Sequence, residues 1–262
     1  MRKDFLHRFP VSFQTLTLTA MICGLAAPGL AQDAGQFLAA AKKGDAKAQY
    51  ELGVCYLNGQ GVAASDKDAA SWFMKSAKQG HTSAQHALGF SYAIGQGVTV
   101  NLKEAVNWYR KAADQGSAEA AHKLAFCYLK GMGVPSKSEK DAATWYLKAA
   151  EQGLPDAEYA LGEMYYGGQG VGQNYADAVK WYTAAANHGH NAAQFRLGAC
   201  YALGQGVSAK DLAEAYKWYI LSAAQGEEKA VDKRENYPSL NKLSPAQVAE
   251  GKKRAEAFVA KK

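Results

Sequence analysis

The 262 residues, 48% of them hydrophobic, suffice for one domain of fair size or a short solenoid with its own core. The net charge of +6 falls to +4 once residues 1–31 are set aside (27 basic against 23 acidic), and nine basic and six acidic residues from Glu227 onward supply +3 of that. The central stretch is therefore near neutral, which excludes the basic stripe that nucleic-acid binding requires.

The first element is a leader. Arg2, Lys3 and Arg8 form a basic head, Val11 to Ala27 an apolar-leaning stretch, and Gly29 and Ala31 offer small residues for cleavage before Gln32. Residues 1–31 are expected to be a secretory signal peptide cleaved near Ala31, making the chain secreted or periplasmic. An uncleaved anchor fits less well, because Ser12, Gln14, Thr15, Thr17 and Thr19 interrupt a short segment. Cys23 is a poor lipidation site behind the bulky Met21 and Ile22. No later stretch is long and apolar enough to span a bilayer, so no transmembrane segment is expected after cleavage.

A partial unit, residues 32–44, ends at Gly44, and from there the chain repeats itself. Terminal glycines stand at Gly80, Gly116, Gly153, Gly189 and Gly226, and tryptophans at Trp72, Trp108, Trp145, Trp181 and Trp218. Both series step by 36 or 37 residues, a period that one stacked supersecondary unit imposes on a sequence. Residues 45–226 therefore read as five units.

Each unit opens with Ala, Leu and Tyr at i, i+4 and i+8, as in Ala84, Leu88 and Tyr92, one apolar stripe of a first helix. A Gly-x-Gly-Val loop follows in all five, Gly95 to Val98 being one example. Its first Gly suits the left-handed end of a helix. Phosphate-binding glycine loops lead from strand to helix, whereas these join helix to helix. The second helix is announced by a cap and an acid three residues on: Ser65 and Asp68, Asn101 and Glu104, Ser138 and Asp141, Asn174 and Asp177, Asp211 and Glu214. These pairs resemble capping boxes, which makes the acids structural. Ala, then Trp three residues later, then a second aromatic, complete the helix, and Gly stops it. Units three and five carry one extra residue in the loop before the cap.

Cys55, Cys127 and Cys200 occupy one position, three after the Leu of their units. Packed helices lie about 8–10 Å apart, too far for a disulfide between equivalent positions, so buried free thiols are expected. Beyond Gly226 the pattern lapses. Glu227 to Asn236 fits one more first helix, and Ser244-Pro245-Ala246-Gln247 a capping box opening a last helix. Residues 227–262 are accordingly expected to cap the open end of the stack.

The landmarks L-G-x-x-Y, G-x-G-V, the capped acid, A-x-x-W-[YF] and K-A-A-x-Q-G resemble the Sel-one-like repeat family, relatives of tetratricopeptide repeats. They cover roughly Gly35 to Gly226, with Ala125 replacing the Gly after Leu124 among the few departures. The resemblance implies an all-α, right-handed solenoid of about five helix-turn-helix repeats, and a non-catalytic scaffold that binds a protein or peptide. It also implies a concave wall of first-helix residues. On this basis the candidate binding residues are Tyr50, His86, Phe90, His122, Phe126, Tyr159, Tyr166 and Phe195, which equally suit packing between repeats. No cofactor and no metal are expected: His86 and His122 are one position in successive repeats, without an acid or Cys at ligand spacing. Some cysteine-rich relatives act on β-lactams, but the chain lacks their paired cysteines. Its one Ser-x-x-Lys, Ser239 to Lys242, falls in the irregular tail without partner motifs. A periplasmic regulator of a membrane sensor is a further reading of the same binding role. Oligomeric state is left open.

Overall fold

The computed structural model describes residues 33–258, so the leader and its cleavage site lie outside the described residues. Among the described residues there are helices and no strands, and the fold is an all-α repeat solenoid. Two compact units divide the chain at Lys137 and Ser138. The first holds α1 (Ala34–Lys42), α2 (Ala46–Asn58), α3 (Asp66–Lys78), α4 (Thr82–Ile94), α5 (Leu102–Asp114) and α6 (Ala118–Lys130). The second holds α7 (Glu139–Ala150), α8 (Pro155–Gly167), α9 (Tyr175–Asn187), α10 (Asn191–Leu203), α11 (Leu212–Ala224), α12 (Glu228–Leu240) and α13 (Pro245–Glu256). Within each unit every helix packs against its neighbour in sequence, except that α12 and α13 both pack on α11.

The second helices begin where the sequence expects, but the acids do not close capping boxes. Ser65, Asn101 and Asn174 accept from the backbone N–H three residues on, at 3.2, 3.1 and 3.2 Å. Their own backbone N–H groups are already committed to the carbonyls of Tyr56, Tyr92 and Tyr165, 2.8–2.9 Å across the loop. Asp68 and Asp177 instead accept from the capping side chain itself, each at 2.6 Å. The cross-loop bond satisfies an orphan carbonyl at the end of the first helix, so the acid is left to orient the cap. A reciprocal capping box does form at Ser244 and Gln247, opening α13.

The residues that make one repeat sit where two helices come closest. In the first, second, fourth and fifth repeats the Gly after the landmark Leu faces the ring that follows Trp: a Cβ on Gly89 would lie 2.7 Å from Tyr109, and one on Gly162 would lie 2.6 Å from Tyr182. Trp carries a lysine on its face, with Nζ 3.7 Å from the ring centre for Lys75 and Trp72 and 3.8 Å for Lys148 and Trp145. In the last two repeats, where Ala184 and Leu221 replace that lysine, Lys180 and Lys217 supply the cation from the residue before Trp, at 5.1 and 4.1 Å. Cys55, Cys127 and Cys200 are buried and form no disulfide; burial pushes Cys127 up to about 12 and Cys200 up to about 11.

Repeat is tied to repeat by two devices. The second Gly of each loop docks on the start of the preceding second helix; at Gly97 (φ +71°) a Cβ would lie 1.9 Å from the carbonyl oxygen of Asp66. The other is a chain of glutamines. Gln85 donates to the carbonyl of Ala77 at 3.2 Å and accepts from Gln115 at 2.7 Å, and Gln49 with Gln79 and Gln194 with Gln225 repeat the arrangement. In the fourth repeat Glu158 and His188 take these places, with Nδ1 and Oε2 2.9 Å apart.

Candidate interaction face on the first helices

In the first and fourth repeats, two residues before the landmark Leu, a ring stands between its own repeat's second helix and the start of the next repeat. Tyr50 lies 5.7 Å from Phe73 and stacks at 5.0 Å on His81, the N-cap of α4. Tyr159 lies 6.1 Å from Tyr182 and stacks at 4.7 Å on His190, the N-cap of α10. His86 is 5.8 Å from Tyr109, and Phe195 is 5.6 Å from Tyr219. Tyr50 and Tyr159 are thereby part of the packing between repeats, and His86 and Phe195 pack on the second helix of their own repeat.

Exposure separates the eight candidates. Tyr50 and Phe126, at 7% and 6%, are core residues that present almost no surface. His86, Phe90, His122, Tyr159, Tyr166 and Phe195 are half-buried and keep an open edge. Burial holds the His86 imidazole down at about 4, with Lys123 acting in the same direction and Glu119 against it. Its Nε2 is enclosed and has no hydrogen-bond partner among the described residues.

The structure brings Tyr159 and Tyr166 together around Tyr182, at 6.1 and 6.5 Å. At their centre stands Glu163, a residue that motif reading passes over. Its carboxylate accepts from the Tyr182 hydroxyl and from Arg196 Nη2, the latter at 2.7 Å. Burial and the Glu163 charge hold the Tyr182 hydroxyl well above the usual phenol range. Arg196 is 42% exposed and Glu163 30%, so the pair lies at the rim of the aromatic cluster. Tyr166 donates to Gln205 at 2.9 Å and meets Tyr175 edge-on at 5.1 Å. The sequence did carry a signal: Glu163 stands where other repeats have Val54, Phe90, Phe126 and Ala199, and a basic residue stands one repeat further on.

Among the described residues no three His, Cys, Asp or Glu side chains converge as a metal site, and no helix is long and apolar enough to cross a membrane. The Ser239 hydroxyl donates to the backbone carbonyl of Asn236 at 2.9 Å, so its proton is directed to a peptide group and not to a base.

Helix pairs of 36 or 37 residues, glycine-docked and in the first, second and fifth repeats glutamine-tied, define a tandem helical-repeat protein. The Sel1 repeat model matches residues 46–81, 82–117, 118–154, 155–190 and 191–227, and the chain belongs to the Sel1 repeat family. It resembles the crystal structure of a protective antigen present in uropathogenic Escherichia coli strains that displays an SLR fold. The identity is 33% and the TM-score 0.77 over 85% of this chain, which spans 48% of the antigen. A Sel1 repeat protein from Oxalobacter formigenes is 34% identical with a TM-score of 0.69, over 84% of this chain and 88% of the other. Among curated proteins none matches the chain significantly. Sel1 repeat proteins generally serve as protein-interaction scaffolds.

Proposed function

We propose that the chain is a non-catalytic scaffold of the cell envelope that binds a protein or peptide through its first-helix faces. The observation that carries this reading is the division of labour along α4, α8 and α10. Leu88, Leu161 and Leu197 make the fold and are buried, whereas His86, Phe90, Tyr159, Tyr166 and Phe195 keep open edges and differ from repeat to repeat. Aromatic and Arg side chains anchor interfaces out of proportion to their number, and Arg196 stands beside Tyr159 on the same face. The basic head and small-residue cleavage site of the leader support an envelope location.

A photo-crosslinking amino acid placed at Phe90 or Tyr166 in cells is expected to trap one discrete partner. The same probe at Asn107, exposed on α5, should trap none. Equal crosslinking from both helices would overturn the assignment of the binding face. Osmotic-shock fractionation with N-terminal sequencing of the released chain tests the location, and a cytoplasmic chain that still begins at Met1 would refute it.

A further inference from the structure

We propose that α4 is an acid-sensitive helix, held by two histidines, His81 and His86, that must both be neutral, so that mild acid loosens the second repeat selectively. His81 is the N-cap of α4, its Nδ1 accepting from the backbone N–H of Ala84 at 3.3 Å. Only an unprotonated nitrogen can accept, so the ring carries its proton on Nε2. A second proton would turn the acceptor into a donor aimed at an N–H group and set a cation on the positive end of a helix. The corresponding caps of α2 and α6, Asp45 and Ser117, have no such requirement.

His86 lies further along the same helix and has the same need by a different route. It is wedged against Tyr109 of α5, and its enclosed Nε2 has no partner among the described residues to receive a second ring proton. The charged groups facing it come from α6, where Lys123 repels an imidazolium and Glu119 attracts one. Around His81 the facing groups are the Tyr50 ring at 5.0 Å, Lys47, which repels a cation, and Asp45, which attracts one. Burial and Lys47 prevail, holding His81 below its usual value.

The fifth repeat provides an internal comparison. His190 caps α10 through Nδ1 in the same way, at 3.1 Å from the Ala193 nitrogen, but its Nε2 lies 3.5 Å from Asp156 Oδ1. A carboxylate thus stands beside the Nε2–H side of the ring, where its charge offsets that of an imidazolium, and Phe195 stands where α4 has His86. Acid therefore acts unequally on the two helices.

Both α4 histidines have folded-state values below the 6.5 of the unfolded chain, so the unfolded chain binds more protons. Their contribution to stability is present above about 6.5 and is lost as the pH falls. For His86 alone, titrating at about 4, the opening equilibrium of α4 rises about twentyfold between pH 7 and pH 5. Since His86 belongs to the face proposed for binding, acid weakens binding there too; that consequence rests on the proposed function, whereas the folding readout needs no partner.

Hydrogen exchange of the full-length protein, corrected for intrinsic rates, should show residues 82–94 losing about twentyfold protection or more from pH 7 to pH 5. Residues 191–203 should lose less protection than residues 82–94 over the same range. The double variant His81→Ser and His86→Phe uses residues the chain itself places at 117 and 195, and should bring α4 into line with α10. On the unmodified protein, long-range nitrogen–proton spectra above pH 7 should find the neutral His81 ring with its proton on Nε2. Protection of α4 that ignores pH, a double variant that keeps the response, or an Nδ1–H tautomer of His81 would each overturn the proposal.

Discussion

Tyr109 and Tyr182 occupy one position in two repeats and show how a single neighbour decides what a side chain is worth. Each ring lies against the glycine of its first helix. The Tyr182 hydroxyl reaches Glu163; in the second repeat Phe90 stands in that place, and the Tyr109 hydroxyl is buried without a partner among the described residues. A satisfied buried hydroxyl contributes about 1 kcal/mol, and an unsatisfied one costs a comparable amount. Tyr182→Phe is accordingly expected to lower unfolding stability by about 1–2 kcal/mol, while Tyr109→Phe leaves it unchanged or raises it. Urea unfolding of the two variants checks this, and equal losses would show that the Glu163 contact adds nothing. The paired apolar residue at 90 and acid at 163 were visible in the repeats when laid side by side. Which tyrosine each one meets was not, because that depends on how the second helix folds back.

At the scale of the element, the two glycine classes separate local geometry from contact between repeats. Gly116 has φ +91° with nothing within 4 Å of an added Cβ, so Gly116→Ala costs only the left-handed backbone, about 1–2 kcal/mol. Gly97 has a similar φ of +71°, but its Cβ would collide with the Asp66 carbonyl, and either the loop or the start of α3 must move. Gly97→Ala is expected to cost at least about 2 kcal/mol more than Gly116→Ala in thermal or chemical unfolding. Near-equal losses would mean the docking is soft. Helix ends, caps and left-handed stops were legible in the sequence because they are chosen by residues within one turn of the boundary. The acids at Asp68 and Asp177 were legible as structural, but not in the bonds they make, since the tyrosine carbonyls across the loop had already taken the cap N–H groups.

Across the whole molecule, stacking requires a finished end, and in the second unit α12 and α13 both pack on α11, the last repeat helix. Tyr237 of α12 stacks on Tyr216 at 6.3 Å and meets Tyr219 edge-on at 5.0 Å. Arg254 of α13 reaches Asp211 at 2.9 Å and Glu214 at 3.0 Å, and Phe258 covers Trp218 at 5.2 Å. A chain ending at Asn241 loses the second of these layers. Its unfolding midpoint is expected to fall by several degrees and its dye-binding apolar surface to rise, because a solenoid end without its polar cover leaves a core face in water. An unchanged midpoint would show that α12 alone suffices.

By itself the sequence determined the period, the number of repeats, the caps and stops of the repeat helices and the family, because each is written in residues that act within a single helix pair and recur. Past the repeats it placed the end of α12 at Asn236, whereas the helix runs on to Leu240. Only the tertiary structure decided which first-helix side chains are core and which keep an open edge, as between Phe126 and Phe90. It also decided that Gln85 bonds Gln115, that Glu158 and His188 replace such a pair, and that Glu163 gathers Tyr182 and Arg196. The physical reason is register. Gln85 and Gln115, Glu158 and His188, and Glu163 and Tyr182 meet inside one helix pair at separations of 30, 30 and 19 residues, while Arg196 comes from the next pair. Their meeting depends on how the second helix folds back on the first and how one pair seats against the next, which no local pattern of residues encodes.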